Sequence, residues 1–166
     1  FRSGADRSIS LYANAGCPHV IVDVVGWFMP GTPITAGGFF GVRPYRLLDS
    51  RESGQVPCFG GARSYRLTVA GVDGSAVPSE SRAVALNVTV TNPTGSGFVT
   101  VSPSGTPRPT ASNLNYVSGQ TVPNGVLVKV GASQQVDIYA NNGCPDVIVD
   151  VVGGFAGESQ IGRAHV

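Results

Sequence analysis

Residues 8–28 read SISLYANAGCPHVIVDVVGWF, and residues 135–155 read QVDIYANNGCPDVIVDVVGGF. At an offset of 127, fourteen of these twenty-one positions are identical, and the likeness reaches back to Gly4-Ala5 against Gly131-Ala132. A match of this length at one spacing marks an internal repeat. Residues 1–28 are therefore expected to be the C-terminal fragment of one copy, and residues 43–155 a complete copy of the next. Residues 29–42, rich in Pro, Gly and Thr, read as an exposed linker between them.

Within the complete copy, apolar residues alternate with small or polar ones. Arg82-Ala83-Val84-Ala85-Leu86-Asn87-Val88-Thr89-Val90-Thr91 is the clearest case, and such alternation gives a strand with one face on a core and one facing out. The same pattern predicts strands at 45–49, 63–70, 97–102, 112–117, 125–130, 135–140 and 146–152. Turn residues separate them, as in Asn92-Pro93-Thr94-Gly95 and Asn142-Gly143. No stretch carries a helical period with start and stop signals. The fold class expected is all-β, an antiparallel β-sandwich of Greek-key or jelly-roll type, with a small barrel as the alternative.

Charge excludes some partners. The formal net charge is +1 and only 13% of residues are charged. The cations form no stripe that would displace phosphate counterions, so nucleic acid is not an expected partner. No apolar run approaches the ~20 residues of a membrane-spanning helix. Residues 156–166 read as a tail. Its end, Ile161-Gly162-Arg163-Ala164-His165-Val166, matches the translation of a common sequencing adapter and is expected to be an artefact of a gene fragment.

The repeat accounts for an odd number of cysteines. Cys17 and Cys144 are equivalent positions, so one complete copy holds two, Cys58 and Cys144. The expected arrangement is a Cys58–Cys144 disulfide, which would contribute about 4 kcal/mol in the chain-entropy model and points to an oxidising, extracellular setting. The alternative is a pair of buried free thiols. No CxxC spacing or nearby His supports a metal site.

Catalytic machinery is sparse. Residues 29–160 contain no histidine, which removes Ser-His-Asp and Cys-His chemistry and His-ligated metals from the complete copy. A glycosidase-type carboxylate pair is the one enzymatic alternative, drawn from Asp49, Glu52, Asp73, Glu80, Asp137, Asp146 and Asp150. No cofactor and no metal is expected. Asp150, inside Val147-Ile148-Val149-Asp150-Val151-Val152, is expected to form a buried structural pair with Arg51, because a carboxylate in such a strand is costly without a partner. Tyr116 and Tyr139, with Asn113 and Asn115, supply the aromatic faces and amides of a candidate glycan-binding surface, and Phe98 offers a further ring. Structural bonding of the asparagines to strand ends is the competing reading.

Several motifs together resemble a known family. They are Pro44-Tyr45-Arg46-Leu47-Leu48-Asp49-Ser50-Arg51, Ala85-Leu86-Asn87-Val88-Thr89-Val90-Thr91, Arg108-Pro109 with Ser112-Asn113-Leu114-Asn115, Gln120-Thr121-Val122-Pro123-Asn124, and Val147-Ile148-Val149-Asp150-Val151-Val152-Gly153 with Phe155. This series resembles a tandem-repeat module of secreted and cell-surface proteins of high-GC Gram-positive bacteria. Ser50 stands where that family often has Thr, and Gly154 where an aromatic is usual, as at Trp27. The resemblance implies an extracellular or cell-surface location and attachment to hydrolases such as peptidases and cell-wall amidases. It carries over no catalytic residue. The implied function is a non-catalytic spacer, adhesion or cell-envelope attachment unit, partnered by neighbouring repeats and by cell-wall or extracellular polysaccharide. A carbohydrate-binding module of a secreted hydrolase is the alternative.

Overall fold

Alternation turns into two faces. The computed structural model describes Gly16, residues 37–52, Phe59 and residues 64–157. Among these, eight strands form: β1 Phe39–Asp49, β2 Ser64–Thr68, β3 Ala83–Thr91, β4 Gly97–Pro103, β5 Leu114–Tyr116, β6 Val122–Lys129, β7 Gln135–Ala140 and β8 Asp146–Phe155. In β3, Val84, Leu86, Val88 and Val90 are at most 2% exposed, whereas Asn87 and Thr89 between them are half-buried. Val147, Val149 and Val151 of β8 do the same, opposite Val90, Val88 and Leu86. Each such burial contributes roughly 1.5–3 kcal/mol.

The strands make two four-stranded sheets, β1-β8-β3-β6 and β2-β7-β4-β5, with every pairing antiparallel. The sheets are not closed into a barrel, so the barrel alternative gives way to the sandwich. Strand 1 pairs with 8, 2 with 7, 3 with 6 and 4 with 5. Every chain connection but β4 to β5 passes from one sheet to the other. This is the jelly-roll arrangement. Its core lies between the inner faces, where Val99, Val136, Ile138 and Ala140 of one sheet meet Val84, Val88, Val90 and Val149 of the other.

Strand β8, the second half of the repeated segment, is central in its sheet. It is flanked by β1 and β3 along most of its length. Leu86 faces Val151 and Ala85 faces Gly153, so Val152 is an extra residue that bulges the strand.

Two strands begin earlier than the sequence reading has them. Strand β1 starts at Phe39, inside the expected linker 29–42, because Phe39, Phe40 and Gly41 pair with Phe155, Gly154 and Gly153. Gly153 leaves room there for the Phe39 ring and Gly154 for the Phe40 ring, since a Cβ at either would lie 2.7 Å or less from ring carbon. Strand β6 starts at Val122 and includes Pro123, which an edge strand tolerates because one side of its backbone needs no partner. The chain divides into units Phe1–Pro30 and Gly31–Val166. The expected fragment 1–28, apart from Gly16, lies outside the described residues, as do Cys17, Cys58 and the tail from Glu158. Among the described residues no helix is long and apolar enough to cross a membrane.

Candidate functional site

The outward face of the β2-β7-β4-β5 sheet carries the half-buried rings of Phe98 and Tyr139. Strand phase sets its members. Val136, Ile138 and Ala140 point to the core, so Asp137 and Tyr139 of β7 point out. Likewise Val99 and Val101 are inward, and Phe98, Thr100 and Ser102 of β4 outward. The Phe98 and Tyr139 rings lie 6.1 Å apart at 49°. Asn115 of β5 is exposed and stands opposite Phe98.

The β4–β5 connection folds over part of this face. The Thr100 hydroxyl donates to the Ala111 carbonyl at 3.0 Å, and Thr100 is buried although its strand position is outward. Arg108 in the same connection places its guanidinium carbon 3.7 Å from the Tyr139 ring centroid, a cation–π stack. At the far side, Arg66 Nε donates to Asp137 Oδ1 at 3.0 Å, and the Ser104 hydroxyl donates to the same oxygen at 2.7 Å. The Arg66 hydrogen bond lowers the Asp137 carboxyl below its ordinary value, helped by Ser104 and opposed by partial burial. The result is a strip running Asn115, Phe98, Tyr139 with Arg108, then Asp137 with Arg66. It presents ring edges, a planar cation and an amide, which are groups that can stack on and hydrogen-bond to a polyhydroxylated ligand.

Two of the four sequence-designated glycan residues are elsewhere. Tyr116 is 3% exposed, on the inner face, and its hydroxyl donates to the Asn142 carbonyl. Burial raises its phenol pKa. Its ring rests over Gly97, where a Cβ would come within 2.7 Å of Cζ. Tyr116 is thus a core residue and no stacking platform. Asn113 accepts the Val101 N–H at 2.8 Å through Oδ1, and its own N–H donates to the Val99 carbonyl at 2.8 Å. Asn124 Nδ2 donates to the Asn113 carbonyl. Asn113 therefore fastens β4 to its neighbours, as the structural reading had it. Arg108 was missed by the sequence reading. The usable signal was an arginine between prolines, Pro107-Arg108-Pro109, in a connection otherwise free of charge.

The expected Arg51–Asp150 pair does not form. Asp150 receives Arg46 Nε at 2.5 Å, and Arg51 instead holds Asp49 with Nε and Nη2 at 2.8 and 2.6 Å. Arg46 also reaches Asp49 at 3.1 Å, linking the four charges. The cause is local geometry. Leu47 is an extra residue in β1 between Arg46 opposite Asp150 and Leu48 opposite Val149. Arg51 lies past the strand end, where its backbone N–H also meets Asp49. Asp150 points away from the core with 21% of its side chain exposed, so the pair is not a buried one. Asp49 is the buried carboxylate, at 6% exposure, and Arg51's hydrogen bond takes its pKa to about 2.

A further carboxylate at this sheet end is Asp146, which accepts Asn92 Nδ2 at 3.0 Å and the Ser50 hydroxyl at 3.5 Å. Among the described residues, no group of three or more His, Cys, Asp or Glu side chains is placed to hold a metal ion. Cys144 precedes β8 in a left-handed conformation, φ 47°, and is not a free thiol. No family model, curated protein or solved structure matches the chain.

Proposed function

We propose that the jelly roll beginning at Phe39 is a non-catalytic extracellular repeat module that serves as a spacer, adhesion or cell-envelope attachment unit. One observation carries this reading. The segment recurring at a 127-residue offset spans β7 and β8, the last strand of each sheet in chain order, which supports reading the repeat in the sequence as one folding unit. Ion pairing supports the non-catalytic part. Asp49, Asp137 and Asp150 are each bound to arginine, so their oxygens are occupied by ion pairs, and for Asp49 and Asp137 the arginine hydrogen bond also lowers the carboxyl pKa. A Cys58–Cys144 staple belongs to the same proposal.

A carbohydrate-binding role is the second reading, favoured by Tyr139, Phe98 and Asn115 sharing one outward face with Arg108. Retention of the chain on peptidoglycan and on a panel of polysaccharides tests both. Retention lost in Tyr139→Ala supports sugar recognition at the strip. Retention unchanged in that variant places adhesion on another surface. No retention by the folded chain leaves the spacer role and removes attachment.

A further inference from the structure

Strand β8 occupies a slot between β1 and β3, and the sequence contains a near-copy of that strand. Val147 to Gly153 and Val20 to Gly26 are the same seven residues, VIVDVVG. Backbone pairing and the inward valines therefore cannot tell the two segments apart. In a chain carrying tandem modules, every slot faces closing strands from its neighbours that satisfy the same ladder.

The two copies differ on either side of the shared run, and both differences fall on contacts. At one end Gly154 stands where the other copy has Trp27. Gly154 is paired with Phe40 on one side and Val84 on the other. A Cβ there would lie 2.7 Å from Phe40 Cζ and 3.2 Å from Cε2, so an indole has no space unless the Phe40 ring leaves. Gly153 is as tightly enclosed, by Phe39 and the Phe40 carbonyl, but both copies have glycine there. At the other end Asp146 stands where the other copy has His19. The Asp146 carboxylate accepts from Asn92 and Ser50. A neutral imidazole offers one acceptor nitrogen in place of two charged oxygens.

We propose that the β1/β3 slot is a strand-selective docking surface. It receives a closing strand with glycine opposite Phe40 and rejects the copy that carries tryptophan. Phe40 against Gly154 is the main discriminator, and Asp146 with Asn92 and Ser50 the secondary one. Specificity here comes from a clash built against the wrong partner, because the attractive contacts are shared. The function of the mark is to keep each closing strand within its own module and so suppress strand exchange between copies.

The test refolds the full chain from denaturant with excess labelled peptide, and reads co-elution of label together with hydrogen-exchange protection of residues 146–155. Three peptides are compared: the sequence of 145–157, the sequence of 18–30, and the latter with Trp27→Gly. The first is expected to be retained, displacing the resident strand and lowering its protection. The second is expected to be retained at least about tenfold less, and the Trp27→Gly peptide to recover most of that loss. A Phe40→Ala chain is expected to retain the unaltered 18–30 peptide. Should that variant fail to fold, the three arms on the unaltered chain still decide. Equal retention of the 145–157 and 18–30 peptides overturns the proposal, as does no gain from Trp27→Gly. Retention of no peptide, the 145–157 sequence included, also overturns it, because the slot then accepts no strand from outside.

Discussion

Arg46 of β1 and Asp150 of β8 are at once register partners and an ion pair, so the ladder and the charge contact fix the same alignment. Arg51, five residues along, serves Asp49 instead. A double-mutant cycle separates the two pairs. Arg46→Ala with Asp150→Ala should show a coupling of about 0.5–1 kcal/mol, modest because the arginine is half exposed. Arg51→Ala with Asp150→Ala should show coupling near zero. Urea unfolding of the three single and two double variants measures both, and a large Arg51–Asp150 coupling would contradict the observed pairing.

Asp49 gives the fold an acid-sensitive point. Its folded pKa of about 2 lies below the ordinary carboxylate value, with Arg51's hydrogen bond as the leading cause. A depressed folded pKa means that the stabilisation is complete above the unfolded value near 4 and is lost as pH falls towards 2. The unfolding midpoint should therefore decline across that window, and the decline should flatten in Asp49→Asn. At neutral pH the same substitution should cost about 1–3 kcal/mol, since it removes charge-assisted hydrogen bonds from a buried group. Denaturant titrations at a series of pH values check both effects.

The two tyrosines should behave in opposite ways. Tyr116→Phe deletes the bond to the Asn142 carbonyl and should destabilise by about 1–2 kcal/mol without altering retention on glycans. Tyr139→Ala removes the ring under Arg108 from an outward face. It should leave stability within about 1 kcal/mol of the parent and abolish any polysaccharide retention. Thermal unfolding and the binding panel, run side by side, distinguish them.

Gly143 precedes Cys144 at φ +74°, and a Cβ there would lie 2.3 Å from the Gly95 carbonyl oxygen. Gly143→Ala should thus cost more than about 2 kcal/mol, combining an unfavourable conformation with a backbone clash. Non-reducing peptide mapping of the parent chain tests the proposed staple. A linked peptide containing Cys58 and Cys144 is expected, and two alkylatable thiols at those positions would refute it.

Much of the architecture was present in the sequence because strand phase is a local property. Leu114 and Tyr116 are two residues apart, and that spacing alone puts both on one face with Asn115 on the other. The chemistry of Tyr116 suggests a surface, but its phase places it in the core. The Arg46–Asp150 pairing was not legible, because it depends on an extra residue at Leu47 and on which strand lies beside β8. The start of β1 was hidden for a related reason. Phe39 and Phe40 follow a Gly/Pro-rich stretch, and only the glycines of a strand more than a hundred residues later give their rings a place. Arg108 became part of the site through a fold-over of its connection, which no periodicity encodes.

Phe39 and Phe155 face each other across the β1–β8 ladder, their ring centroids 5.2 Å apart, and bonds between Gly37 or Gly38 and Ala156 continue it outward. The chain therefore comes into the module and leaves it at the same end of the same sheet. Tension on the flanking chain would load this ladder end-on, so its hydrogen bonds would break in succession, as a zipper opens, and would not resist together in shear. A folded module adds only about 5 Å to the path of the polymer, the separation of paired strands. Once peeled, each freed residue adds up to about 3.5 Å, and single-molecule pulling would read that gain as a low-force extension. In a chain of tandem modules as proposed, this module would act under load as a pendant clip, short while closed and yielding length when drawn.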